Sequence, residues 1–478
     1  MTLFVYLFPA IVLVLAWRIL KNPYFGLLVM IAVNPVEALI PLPPGYSAGR
    51  VVGVMVAVGW IIHLWRNPEA KSRMVHSKLR RSVWAFPTVC AIGILLGAGG
   101  PAAAKGGEAF IKLMLLVTLA LMIENMVDTP KQMSRMLQVL VLASLVAVIF
   151  PFAYNLGLDL YTPLGISLDA VTRGGRAGNL AGDANTLGVT AVSGLFALMI
   201  NLNARRKLLS GLLQIGMALV ILSGLILSGN RTHFAGFFVF MAVFAGLRLL
   251  GPARGMSYSI FVLLALLLTV PWAYHRAPER IQERLIVIGP NVNKYTEGRA
   301  DLIKEQRGMA FDLLKENPLF GAGLRGFETH FALMAHDSVS GLVGETGMLG
   351  LFSIGWLVFS CFAWLIHSSR FFLRSGFLEW YYYAMGFLAS VAATLVSGLG
   401  GYVFYSSRWF WFALGMSAVI ARWHEAGVHR VPANASEPAL PRFVSGWGSL
   451  QPSGWSTVPR SPFNTPRGGM INVAGSNP

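Results

Sequence analysis

Apolar stretches of about 17 to 25 residues, the length a helix needs to cross a hydrocarbon core, recur from one end of this chain to the other. In lipid the backbone can satisfy its polar groups only as helices or as a closed barrel, and runs of this length match the helix. They fall near residues 3–20, 24–42, 46–66, 82–99, 108–127, 133–156, 184–203, 208–228, 232–250, 257–275, 347–366, 380–400 and 406–422. They predict an all-α polytopic membrane protein with about 12–13 transmembrane helices. Composition points the same way: 55% of residues are hydrophobic and 12% charged, against roughly 25% charged in an average soluble domain.

The net charge of +17 would suit a nucleic-acid binder, but its placement along the chain says otherwise. Arg18 and Lys21 follow the first span, and Arg66, Lys71, Arg73, Lys78, Arg80 and Arg81 the third. Arg205, Arg206 and Lys207 follow the seventh, Arg248 and Arg254 the ninth, Arg370 and Arg374 the eleventh, and Arg422 and Arg430 the last. All are odd-numbered connections, so one orientation accounts for them, with the N-terminus outside and the C-terminus cytoplasmic. The excess charge is then topological, and no nucleic-acid partner is expected. The two cysteines, Cys90 and Cys361, lie inside apolar spans and offer no disulfide framework. The first apolar segment lacks a positive n-region and a small-residue cleavage site, so it is expected to be retained.

Four regions follow from this pattern: spans 1–10 over residues 1–275, a long outer loop over 276–346, spans 11–13 over 347–424, and a tail over 425–478. The tail is rich in Pro, Ser, Gly and Asn without periodicity, which predicts disorder. A connection as long as 276–346 is uncommon in a compact bundle unless it is functional, so the chemistry is expected there. Within it Leu302, Ile303, Met309, Ala310, Leu313 and Leu314 recur at helical spacing. Lys304, Glu305, Asp312, Lys315 and Glu316 fall on the other side. That spacing predicts an amphipathic helix, ended by Pro318 and followed by a turn through PLFGAG.

Four clusters face outward in this topology: RGGRAGNLAGDANTLG at 173–188, SGNRTH at 228–233, GRADLIKEQRGMAFDLLKENPLFGAG at 298–323 and HDSVSGLVGETGMLG at 336–350. In this order they resemble the O-antigen ligase and polymerase superfamily. The likeness covers about residues 170–365. It is most specific in Pro318, Gly321 and Gly323 after an amphipathic helix, and in His336, Glu345, Gly347 and Gly350 opening the next span. The resemblance implies a membrane glycosyltransferase whose donor is an undecaprenyl-pyrophosphate-linked glycan. Its acceptor would be a hydroxyl of a lipid A core or of a growing glycan, at the periplasmic face of a bacterial inner membrane. Ligase and polymerase share these motifs, so both stay open.

The resemblance also implies roles. Arg231 would hold the pyrophosphate, since a guanidinium offers two parallel donors to an anion that gains charge as its bond breaks. The family's motif has a serine where Asn230 stands. A second guanidinium from the long loop would be Arg299 or Arg307, one helical turn to either side of the family position near Ile303. Arg173 and Arg176 would grip phosphate or acceptor sugar. Asn185 matches a family asparagine just inside the following span, and also reads as an ordinary helix-end polar residue. His336 would be the general base, because a neutral imidazole accepts a proton near neutral pH. Asp337 or Ser338 could cap the span that follows. Glu345, a carboxylate in an apolar run, would help orient the site. The nearby glycines would permit close helix packing. No Asp-x-Asp or His/carboxylate spacing suggests a divalent metal, and no cofactor is expected. A transporter, the rival class, would need ionisable residues at the bilayer midplane and related halves. Glu37 is the main acidic candidate, and no internal repeat is present.

Overall fold

A computed structural model describes residues 13–34, 48–68, 79–97, 101–164, 184–204, 208–249, 275, 282, 292–333, 335, 338–398 and 407–427. Residues 13–21 are helical. Then follow α1 (Pro23–Val33), α2 (Ala48–Arg66), α3 (Leu79–Gly97), α4 (Pro101–Met126), α5 (Pro130–Asn155), α6 (Ala184–Ala204) and α7 (Leu208–Leu227). The second half contains α8 (Arg231–Leu249), α9 (Val292–Glu316), α10 (Gly326–Phe331), α11 (Ser338–Arg374), α12 (Leu378–Gly398) and α13 (Arg408–Glu425). No strand occurs among the described residues. Seven of the helices are long and apolar enough to cross a bilayer: α2 to α6, α8 and α11. The chain is an all-α, multi-pass membrane protein. The expected tenth span, Glu37 and the tail beyond Gly427 lie outside the described residues.

Local chemistry starts several helices where the apolar pattern alone would not. Thr129 caps α5 in a reciprocal box: its hydroxyl accepts from Gln132 N at 3.2 Å, and Gln132 Oε1 accepts from Thr129 N at 3.1 Å, with Pro130 at the first position. Ser407 caps α13, its hydroxyl accepting from Phe410 N at 3.2 Å. Pro87 and Pro151 sit inside α3 and α5, as membrane helices tolerate where neighbours repair the backbone.

The centre of the bundle is α6, flanked by α5, α7 and α12, together with α13, flanked by α4 and α12. Lipid gives helices no hydrophobic reason to associate, so small residues and short hydrogen bonds must do so. They lie at these seams. A Cβ on Gly194 of α6 would come within 2.4 Å of Ser144 of α5, and one on Gly415 of α13 within 2.9 Å of the Ala120 carbonyl oxygen of α4. Ser134 donates to Asn201 Oδ1 at 2.6 Å, and Trp60 Nε1 to Asn125 Oδ1 at 2.9 Å. On the outside of α11, Phe352, Trp356 and Phe359 form an exposed aromatic stripe, as a lipid-facing side requires.

Two charge clusters mark the ends of α4. Lys105 pairs with Glu328 at one end, and Arg422 of α13 reaches Asp128 just past the other, at 3.0 Å. The helix between them spans roughly the 30 Å of a hydrocarbon core. The first end carries α9 and α10 and is called the loop end below.

The loop region departs from the sequence reading in extent. The amphipathic helix begins at Val292, ten residues before the apolar spacing starts, and buries Gln306, Ala310 and Leu313 while leaving Lys304, Glu305, Asp312 and Lys315 exposed. Helix α11 begins at Ser338 rather than 347 because its first nine residues, though less apolar, are held against α9 and α10.

Candidate functional site

Three structures converge at the loop end: a polar turn, a docked loop and a cavity. The turn joins α7 to α8 through Ser228, Gly229 and Asn230. Asn230 Oδ1 accepts from the Thr232 hydroxyl at 2.8 Å, from Thr232 N at 3.2 Å and from His233 N at 3.4 Å, so it caps α8. Its Nδ2 donates to Asn185 Oδ1 at 2.8 Å, tying this turn to the first residues of α6. The asparagine that stands where the resembled motif has serine is therefore a cap and a cross-link at once. The His233 ring lies on Gly188, whose Cβ would come within 2.8 Å of it. Arg231 is the first residue of α8 and half-buried. Arg231 and Asn185 are thus brought to one turn of the loop end.

The second structure joins the two most specific motifs. Gly347 interrupts α11 with φ 62 and ψ −161, a conformation essentially restricted to glycine. The break releases backbone groups that a continuous helix would use. Met348 N donates to Pro318 O at 3.0 Å, Leu349 N to Leu319 O at 3.1 Å, and Ala322 N to Gly344 O at 2.9 Å. Gly321, itself at φ +62, would place a Cβ 2.6 Å from Gly344 O, and a Cβ on Gly347 would lie 2.7 Å from Gly321 N. The loop over 318–325 is also pressed against α4, where a Cβ on Gly106 would come within 2.9 Å of Leu324 O. Pro318, Gly321 and Gly347 form one backbone joint, a tighter use of glycine than helix packing. Glu345 sits in this joint, 2% exposed.

The joint delivers Arg325 to the third structure, a cavity of about 430 Å³ between α1, α2, α4, α6 and α13. Its walls are apolar, with Leu116, Leu119, Met122 and Phe412 among them, and among the described residues its lining carries the cations Arg50, Lys112, Arg325 and Arg408 and no acidic side chain. Arg408 Nη1 donates to Asn34 Oδ1, Lys112 pairs with Glu108 at 2.6 Å, and Arg325 Nη1 donates to Glu328 Oε2 at 2.6 Å. Lys105 meets the other Glu328 oxygen at 3.4 Å. Burial opposes ionisation of Glu328, yet the Arg325 and Lys105 contacts hold its carboxyl below the usual range. An apolar chamber with a cationic lining suits an amphiphile with an anionic head. Val189 of α6 lines it, one turn along the helix from Asn185, so the polar turn stands just beyond the cavity wall.

The other sequence candidates are distributed differently. Arg307 is exposed on α9, beside its buried face. Arg299 lies within α9, its side chain outside the described residues, and Arg173, Arg176, His336 and Asp337 lie outside them entirely. The residues flanking the last pair, Ala335 and Ser338, are buried.

Sequence reasoning passed over Arg50, Lys112, Arg325 and Arg408. A signal for two of them was present. Arg50 and Arg408 start spans on the side that the other basic residues avoid, and such exceptions to the charge rule call for a partner. Comparison with models of known families finds none that matches this chain, and comparison with curated proteins finds no match either.

Proposed function

We propose that this chain is a membrane-embedded glycosyltransferase of the O-antigen ligase type. It transfers a glycan from an undecaprenyl-pyrophosphate carrier to an acceptor hydroxyl at the periplasmic face of a bacterial inner membrane. The observation that supports the reading best is the apolar cavity at the loop end, lined by Arg50, Lys112, Arg325 and Arg408. A polyprenyl pyrophosphate is an apolar chain with a compact polyanion, and that lining complements both parts. Seated at the end of the cavity toward α6, the pyrophosphate would lie between that lining and the turn that carries Arg231 and Asn185, with the sugar beyond it.

The chemistry needs one proton transfer and one displacement. The acceptor oxygen attacks the anomeric carbon as the bond from that carbon to the pyrophosphate oxygen breaks. The guanidinium groups stabilise the charge that grows on the leaving group. His336 takes the hydroxyl proton through its neutral imidazole nitrogen. The nature of the acceptor, lipid A core or the end of a growing glycan, separates a ligase from a repeat-unit polymerase built on the same site.

The test is transfer by purified protein in liposomes with lipid-linked donor, acceptor and a chelator. Labelled glycan on the acceptor is the expected product. Donor recovered unchanged from an active-looking, folded preparation with either acceptor would remove the reading. In a deletion strain, long chains left on the carrier identify a ligase and single repeats a polymerase.

A further inference from the structure

Among the described lining residues, Arg325 is the cation that comes from a loop instead of a helix, and three observations bear on why. Its backbone lies in the left-handed region, φ 61 and ψ 8, unusual for a residue with a side chain and persistent only where its surroundings impose it. Those surroundings are the joint: the loop before it is bonded to both sides of the break at Gly347, and Leu324 O rests against Gly106 of α4. Its guanidinium is then fixed from the other side by Glu328, one turn along α10, whose second oxygen is engaged by Lys105. Backbone and carboxylate together aim a planar donor into a cavity whose described lining residues are apolar, neutral or cationic.

Resting on the reading above, we infer that Arg325 contacts the phosphate-bearing head of the cavity's ligand, and that Glu328 is the positioning residue that orients it. Glu328 takes Nη1, and the five N–H groups of a guanidinium, held in a fixed fork, let one side chain serve a carboxylate and a phosphate together. Lys105 balances Glu328, so the carboxylate orients Arg325 without turning the cavity mouth negative. A phosphate on a lipid and a free phosphate would engage this fork alike. The apolar walls favour the lipid.

The experiment measures binding to the purified full-length chain of three probes: farnesyl pyrophosphate, inorganic pyrophosphate and farnesol. Trp409, which lines the cavity, supplies the fluorescence signal. Farnesyl pyrophosphate should bind more tightly than either of the others. Arg325→Ala should weaken it by about tenfold or more, and Arg325→Lys by at least several-fold, since the charge stays but the fork is lost. Glu328→Gln should weaken it roughly three- to tenfold in the native background and leave it unchanged in the Arg325→Ala background, because it acts through Arg325. Thermal unfolding of each variant checks that it is folded, and Arg325→Lys stands in if Arg325→Ala is not.

Farnesyl pyrophosphate binding within twofold of wild type in the Arg325 variants overturns the contact, as does farnesol binding equally well or no binding by the wild type. Tighter binding by Glu328→Gln, or the same loss in both backgrounds, overturns the positioning role. Equal affinity for inorganic pyrophosphate keeps the contact and assigns it to a free phosphate. Arg325-dependent binding by a protein that transfers no glycan would sink the glycosyltransferase while this assignment stands.

Discussion

Arg231 occupies the first position of α8, where the helix dipole opposes a cation, so the helix itself gives an arginine no reason to be there. If it holds a leaving pyrophosphate, Arg231→Lys should fail nearly as badly as Arg231→Ala in the transfer assay, because an ammonium keeps the charge and loses the paired donors. The expected loss is roughly a hundredfold or more, about 2.7 to 4 kcal/mol of transition-state stabilisation. A residue that only snorkels to the headgroups would accept lysine without loss. His336→Ala should abolish transfer while leaving farnesyl pyrophosphate binding near wild type, since the base acts on the acceptor; normal turnover at matched protein levels would exclude the residue. Glu328 carries a pH signature. Its carboxyl is lowered in the folded chain, so the folded state binds the proton less readily than the unfolded one. Its contribution is full above the ordinary glutamate value of about 4.3 and is lost as pH falls through the lowered value. The pair is partly exposed and worth at most about 1 kcal/mol. Wild type and Glu328→Gln should therefore differ slightly in unfolding temperature at pH 7 and converge as the pH falls through the lowered Glu328 value.

At the scale of elements, the decisive object is the joint between the loop over 318–325 and the broken α11. Two glycines of the same helix test it against each other. Gly347→Ala forces a side chain into a glycine-only conformation and against Gly321 N and the Leu319 carbonyl, which should cost about 1 to 3 kcal/mol from the backbone alone, before the clash. Gly355→Ala meets nothing within 4 Å on ordinary helical backbone, and should be neutral or stabilising by up to about 1 kcal/mol. Thermal unfolding of the two variants in detergent measures the contrast. Equal effects would mean that the break is not a structural requirement. Because Arg325 hangs from this joint, Gly347→Ala should also weaken farnesyl pyrophosphate binding, and Gly355→Ala should not.

For the whole molecule, the membrane orientation inferred from the basic residues needs its own test. Both native cysteines are buried, so the labelling background is low. Thr329→Cys at the loop end should react with an impermeant thiol reagent in intact spheroplasts, and Ser375→Cys, between α11 and α12, should be protected until the membrane is opened. The reverse pattern would put the cavity mouth in the cytoplasm, where no extracytoplasmic transferase could use it.

What the sequence alone determined is the solvent and the class of fold. Apolar runs such as 184–203 and 133–156 are long enough to leave no other structure in lipid, and α6 and α5 follow them closely, because backbone satisfaction in a bilayer is a local matter. The polar turn at 228–233 was legible for the same reason, its capping residues lying within a few positions of the helix they start. The cavity was not legible. Arg50, Lys112, Arg325 and Arg408 are separated by as many as 358 positions, and nothing in their spacing says that α2, α4, the loop and α13 converge. Nor could the motif glycines reveal that Gly321 and Gly347 need each other, because a backbone contact leaves no side-chain pattern to read. Only the packing of the helices decided which cations share a chamber: in lipid that packing depends on close fit and scattered hydrogen bonds, and neither has a periodicity in the chain.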